Sequence, residues 1–166
     1  MSDIVVRQAR ADELDAVGAL TVRAYREFGY FDDGVAPGYV KELANAAARF
    51  ANAELLVAVD GDDRLLGTVT IALPGTEYAE VSRDGELEFR MLAVDPDAGR
   101  RGIGGTLVQA VLDRARSLGL ARVVLCSQDR MTSVHKVYER HGFQRMPDRD
   151  WDPLPDVHLI GYGIDV

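Results

Sequence analysis

Two periods of apolar positions alternate along the chain, and each change of period marks a predicted element. Ile4-Val5-Val6-Arg7 is a short β-branched run. The acids of Ala11-Asp12-Glu13 then open a helix that carries Leu14, Val17, Leu20, Val22 and Tyr25 at near-helical spacing. Gly29 to Gly34 interrupts with turn formers and aromatics, and a second helix is predicted from Val40 to Asn52 around Leu43, Ala47 and Phe50. Glu54 to Val59 and Arg64 to Ile71 are β-rich runs joined by Asp60-Gly61-Asp62-Asp63, a hairpin signal. A polar stretch, 74–85, precedes a strand over 86–94. Its alternation puts Leu87, Phe89, Met91 and Ala93 on one face and Glu86, Glu88 and Arg90 on the other. Leu107, Val108, Val111, Leu112, Ala115 and Leu118 form the apolar stripe of a helix over 102–118, with Gly119 as its C-terminal cap. A buried-type strand, 121–127, follows. Ser133 is placed to cap a short helix carrying Val134, Val137 and Tyr138 and closed by Gly142, and 157–164 supplies a last strand. The order is that of an α/β protein without repeats or linkers.

Composition narrows the class. A chain of 166 residues with 47% hydrophobic side chains holds one core, so one domain over 1–166 is expected. Lys+Arg 19 against Asp+Glu 27 leaves a net charge of −8, which disfavours a nucleic-acid partner or an anionic membrane surface. Cys126 stands alone and there are three histidines, so no disulfide and no metal site is expected. The first ten residues lack the features of a signal peptide, and no apolar run reaches the roughly 20 residues of a membrane span, so a cytoplasmic protein is expected.

The chemistry concentrates in residues 92–106, where a strand passes through Asp95-Pro96 and a tight turn into a glycine-rich helix start. The first N–H groups of a helix have no internal partner, the helix dipole adds partial positive charge there, and glycines let a phosphate approach the main chain. Arg100 and Arg101 add full charges. A Walker loop is excluded, because no Gly-Lys-Ser/Thr follows. The dinucleotide fingerprint is disfavoured: Leu107 stands where its third glycine belongs, and Arg122 rather than an acid lies about 20 residues on.

Val94-Asp95-Pro96, Arg100-Arg101-Gly102-Ile103-Gly104-Gly105 and, downstream, Val137-Tyr138-Glu139-Arg140-His141-Gly142-Phe143 together resemble the GCN5-related N-acetyltransferase (GNAT) family, closely over residues 86–143. The resemblance implies one α/β (α+β) domain: a mixed, mostly antiparallel twisted sheet of about six to seven strands with helices on both faces. It also implies transfer of an acetyl group from acetyl-CoA to a primary amine of a small molecule or peptide. Arg100 to Gly105, continuing into Thr106, would cradle the pyrophosphate, and Leu92, Ala93 and Val94 would offer main-chain groups to the pantetheine arm and thioester carbonyl. Tyr138 would give a proton to the departing thiolate. Glu88, six residues before Val94, would take the proton of the amine, with Glu86 as the fallback base and each carboxylate tending to raise the pKa of the other.

This chain departs from the family pattern at three positions. Gly99 replaces a glutamine or arginine, Met131 replaces an asparagine that often contacts the cofactor arm, and Cys126 replaces a glutamate that is catalytic in some relatives. Cys126 also reads as a small buried hydrophobe, and the histidines as surface or structural residues. By the same resemblance Tyr30, Phe31 and Trp151 would shape the acceptor pocket, where aromatic and acidic residues suit a cationic amine. A homodimer would be common for the family. Two rival readings keep the fold: a non-catalytic acyl-CoA-binding regulatory module, and a transferase that uses a longer acyl-CoA or a protein N-terminus.

Charge is distributed unevenly. Residues 98–145 hold nine Lys/Arg and three Asp/Glu, a net of +6, and the remainder carries −14. The bulk charge therefore argues against nucleic acid without excluding a small polyanion such as coenzyme A.

Overall fold

The computed structural model describes residues 3–27, 37–98, 101–129, 131–154 and 157–166. They form β1 (Val5–Gln8), α1 (Leu14–Glu27), α2 (Pro37–Ala44), α3 (Ala46–Asn52), β2 (Glu54–Val59), β3 (Leu65–Ala72) and β4 (Glu86–Val94). After these come α4 (Ile103–Ser117), β5 (Arg122–Gln128), α5 (Thr132–Arg140), β6 (Gln144–Arg145), β7 (Trp151–Leu154) and β8 (Val157–Asp165). One sheet runs β1-β2-β3-β4-β5-β8-β6, with β7 also paired to β8. Its described strands number eight rather than six to seven, because two short strands, β6 and β7, border β8. All pairings are antiparallel except β4 with β5.

Cross-strand partners share a face of a sheet, and this assigns the helices. Val57 of β2 clusters with Val17 of α1 and Ala46 of α3, and its partner Thr68 lies on that same face. The next residue, Gly67, faces the other way. A Cβ there would meet Ile103 Cγ2 at 2.9 Å and Leu107 Cδ1 at 3.0 Å, so the glycine lets α4 settle directly on β3. Helices thus cover both faces, α1 and α3 on one and α4 on the other.

Three local readings are corrected. The predicted helix over 40–52 is two helices, because Asn45 leaves the helical region (ψ 67°) and caps α3, its Oδ1 accepting from the Ala48 N–H at 3.1 Å. Leu43, Ala46 and Arg49 are buried there, whereas Ala47 and Phe50 are exposed. Met131 rather than Ser133 precedes α5, and no side chain caps it. Ala93 is not on the face of Leu87 and Phe89. Met91 adopts φ +54°, and β4 spends three steps from Arg90 to Ala93 where β3 spends two from Thr70 to Thr68. This bulge moves Ala93 to the face of Arg90 and Glu88.

Candidate active site

The parallel pairing of β4 with β5 covers only Glu86 to Glu88, against Arg122 to Val124. Beyond it both strands continue, β4 to Val94 and β5 to Gln128, without pairing to each other. The sheet is therefore split at its centre, and the Met91 bulge lies on the β4 side of the split. The β4 main chain from Met91 to Val94 bonds β3 on one edge and has no β5 partner on the other. Strand polar groups without a partner are ready to bind an extended ligand. This is where Leu92, Ala93 and Val94 were expected to act.

A cavity of about 70 Å³ lies in this split. Glu88, Arg90, Cys126 and Gln128 line it from the α1 face of the sheet, joined by Tyr25, Tyr39 and Trp151. Phe89, Leu125, Ser127, Met131, Val134 and Tyr138 line it from the α4 and α5 side. Glu88 and Tyr138 thus meet one cavity from opposite faces. Tyr30 and Phe31 lie outside the described residues. Trp151 does line the cavity, from the start of β7 rather than from a loop, in register with Leu159 of β8.

Glu88 is 2% exposed, and its Oε1 accepts from three successive main-chain N–H groups, those of Glu80, Val81 and Ser82, at 2.9, 2.9 and 3.0 Å. Oε2 accepts no hydrogen bond from the described residues. Burial raises the Glu88 pKa above the ordinary carboxylate value, against the lowering pull of these three N–H groups and of Arg90. Glu86, in contrast, is locked. Arg149 grips it with two hydrogen bonds of 2.7 and 2.8 Å, and the Arg83 N–H adds a third of 2.8 Å. The arginine holds the Glu86 pKa below its ordinary value, so Glu86 is corrected from fallback base to structural ion pair. The expected mutual raising of the two carboxylates is replaced by burial at Glu88 and arginine pairing at Glu86.

Tyr138 packs its ring at centroid distances of 5.8 Å from Phe89 and 5.9 Å from both Phe143 and Tyr162. Its hydroxyl bonds no described residue. Burial pushes the phenol well above its usual pKa, so it holds its proton. Burial likewise pushes the Cys126 thiol up to about 12, and the thiol donates to the Arg149 carbonyl at 3.4 Å, as suits an inert thiol. His135 is buried with Nε2 at 3.1 Å from Ser127 Oγ, a structural role.

At the far end of β4, the Asp95 carboxylate accepts from the Asp97 N–H at 2.9 Å and so shapes the turn toward α4. Gly102 has φ +70° and caps α4 without a side-chain bond, leaving the first N–H groups, of Ile103, Gly104 and Gly105, free of side-chain capping. Ile103 buries its side chain in the core, so only its main chain can face a ligand. Gly105 has a packing role as well: a Cβ there would come within 3.0 Å of His141 Cε1. The Thr106 hydroxyl turns back onto the Gly102 carbonyl at 3.0 Å. Arg101 pairs with Asp3 at 2.8 Å, both exposed, an arrangement that solvent weakens and a stronger anion can displace. Arg100 lies outside the described residues. No group of three or more potential metal ligands occurs among the described residues, and no described helix is long and apolar enough to cross a membrane.

Sequence reasoning missed Arg149, Glu80 and Gln128. Arg149 reaches Glu86 across 63 positions, a pairing that no local pattern signals. Gln128 could have been found, since it shares the alternation of Cys126 on a strand already assigned.

The sheet split leaves β4 main-chain groups unpaired beside a glycine-capped helix N-terminus, an arrangement suited to an extended, anion-bearing ligand. The chain belongs to the acetyltransferase (GNAT) family, whose model matches residues 20–143. Among curated proteins, a mycothiol acetyltransferase of Geodermatophilus obscurus is 37% identical over 62% of this chain and 32% of its own length. Another, from Clavibacter sepedonicus, is 31% identical over 81% of this chain and 40% of its own length. The chain therefore spans well under half of these relatives. Among solved structures, the PaiA N-acetyltransferase of Thermoplasma acidophilum, in complex with coenzyme A, superposes with a TM-score of 0.73 at 14% identity, covering 97% of this chain and 98% of that one. A GNAT acetyltransferase of Staphylococcus aureus Mu50 gives 0.74 at 13% identity over 98% of each chain. At these identities the likeness shows the fold.

Proposed function

We propose that the chain is an acetyl-CoA-dependent N-acetyltransferase domain that transfers the acetyl group directly to a primary amine of a small molecule. The observation that carries this is the cavity in the split sheet, with a buried carboxylate on one face and a protonated phenol on the other. The residues present fit the cofactor: an unpaired β4 edge for the pantetheine arm, and the α4 N-terminus from Gly102 to Gly105, with Arg101 and Thr106 beside it, for the pyrophosphate. Relatives named for mycothiol support a small acceptor. When bound, acetyl-CoA supplies an activated thioester carbonyl.

Each protein group then has one task. Glu88 Oε2 takes the proton of the attacking amine, while the three N–H groups on Oε1 hold the carboxylate in place. Its raised pKa, brought toward the working pH, makes it a better base than an ordinary glutamate. Main-chain N–H groups of the bulged β4 segment stabilise charge on the carbonyl oxygen, worth about 3 kcal/mol per donor in well-studied cases. Tyr138, which burial keeps protonated, gives its proton to the departing sulfur. The test is thiol release from acetyl-CoA with a panel of polyamines, aminoglycosides, amino acids and peptides. Amine-dependent release supports the reading, and none with any acceptor contradicts it.

A further inference from the structure

The segment that supplies three N–H groups to Glu88 Oε1, residues 80–82 between β3 and β4, is itself held by a residue far along the chain. Arg149 ends a single turn of 3-10 helix, Pro147–Arg149, just before β7, and it is buried. Its Nη1 donates to the Val81 carbonyl at 2.9 Å and to Glu86 Oε1 at 2.7 Å, which engages both hydrogens of that nitrogen. Nη2 donates to Glu86 Oε2 at 2.8 Å. The Arg149 carbonyl accepts from the Cys126 thiol at 3.4 Å, so main chain and side chain are both anchored.

The Val81 carbonyl and the Ser82 N–H belong to one peptide unit, in which they point in opposite directions. This plane takes the Arg149 cation on its oxygen and gives its hydrogen to Glu88 Oε1 at 3.0 Å. A positive charge at the carbonyl end polarises the amide and strengthens donation at the other end. Burial makes the Glu88 carboxylate costly to ionise, and a strengthened donor works against that cost. The other ionisable groups around Glu88 are accounted for. Arg90, on the same strand, favours the carboxylate through space and pairs with Glu80 at 2.7 Å. Glu86 is held by Arg149, and the Cys126 thiol of β5 and the Tyr138 phenol of α5 keep their protons. Tyr25 of α1 and Tyr39 of α2 complete the cavity.

We propose that Arg149 is a positioning residue for the reaction: through the peptide between Val81 and Ser82 it fixes the N–H groups that hold Glu88 and favours the ionised carboxylate that accepts the amine proton. This rests on the reading of Glu88 as the base. The experiment follows the Glu88 carboxyl carbon by 13C NMR against pH, its resonance assigned by its loss in Glu88→Gln, so no acceptor is needed. Glu86→Gln is the reference, because removing Arg149 alone strands the Glu86 anion two residues from Glu88 and mixes the two effects. Glu86→Gln/Arg149→Met removes the pair together, which a fold tolerates better than loss of one partner, and chemical denaturation verifies that it is folded. The Glu88 midpoint is expected about half a pH unit or more higher in the double variant than in Glu86→Gln. The rising limb of the pH–rate profile moves with it for any acceptor that is turned over. Arg149→Lys leaves Glu86 a cationic partner, and its shorter, unforked side chain raises the midpoint by less relative to wild type. Coincident midpoints in Glu86→Gln and the double variant overturn the role of Arg149, whatever their stabilities. Should the double variant not fold, an Arg149→Lys midpoint equal to that of wild type overturns it. A rate limb that survives Glu88→Gln overturns the base reading instead, and the proposed part of Arg149 in the reaction with it.

Discussion

Glu86 and Glu88 stand two residues apart on one face of β4, and their surroundings drive their acidities in opposite directions. Arg149 holds Glu86 as a committed anion, whereas burial makes Glu88 reluctant to ionise and leaves one of its oxygens without a described partner. One arginine serves both. Arg149 also donates to the Val81 carbonyl at 2.9 Å, and the Val81 N–H is one of the three that hold Glu88.

Glu88→Gln is predicted to lower kcat by about 10²- to 10⁴-fold, the usual contribution of a general base. Glutamine keeps an oxygen for the three N–H groups, so the thermal midpoint should not fall. The wild-type rate should rise with pH through the raised Glu88 pKa, because only the deprotonated form accepts a proton. In the glutamine variant this limb of the pH–rate profile should vanish.

Arg149→Met is predicted to destabilise the fold by about 3–5 kcal/mol, because it strands the buried Glu86 carboxylate. Chemical denaturation measures this. A group with a depressed folded pKa contributes stability above its unfolded value, 4.5 for Glu86, and loses it as pH falls through the folded value. The gap between wild type and variant should therefore narrow under acid. A gap that is constant with pH contradicts the pairing.

Tyr138→Phe should cost about 10²-fold or more in kcat while leaving stability within about 1 kcal/mol, since the hydroxyl bonds no described residue and the ring contacts remain. Wild-type turnover with a true substrate would remove Tyr138 as the acid.

Gly102→Ala should cost about 1–2 kcal/mol, the penalty of a side chain at φ +70°. The same change should raise the KM for acetyl-CoA by tilting the first N–H groups of α4.

The longer strands, the α4 stripe and the Gly102 to Gly105 turn were legible because each follows from a local period or a local glycine requirement, whereas the short β6 and β7 were not. Spacing within the family pattern singled out Glu88, and the fold places it on the cavity. What escaped depends on contacts between distant segments or on a single backbone torsion. The Met91 bulge has no marker in a run that otherwise alternates, yet it sets the face of Ala93. Glu86 and Glu88 look alike in sequence, and only Arg149, far along the chain, separates their roles. The uneven charge is also softened in the fold: Arg101, Arg114, Arg122 and Arg145 of the basic segment pair with Asp3, Glu54, Asp165 and Asp150 of the acidic remainder.

Calorimetric titration of the protein with acetyl-CoA tests the central claim most directly. Saturable one-to-one binding, weakened in Gly102→Ala, is the predicted result. A protein that takes up no acetyl-CoA would contradict the account.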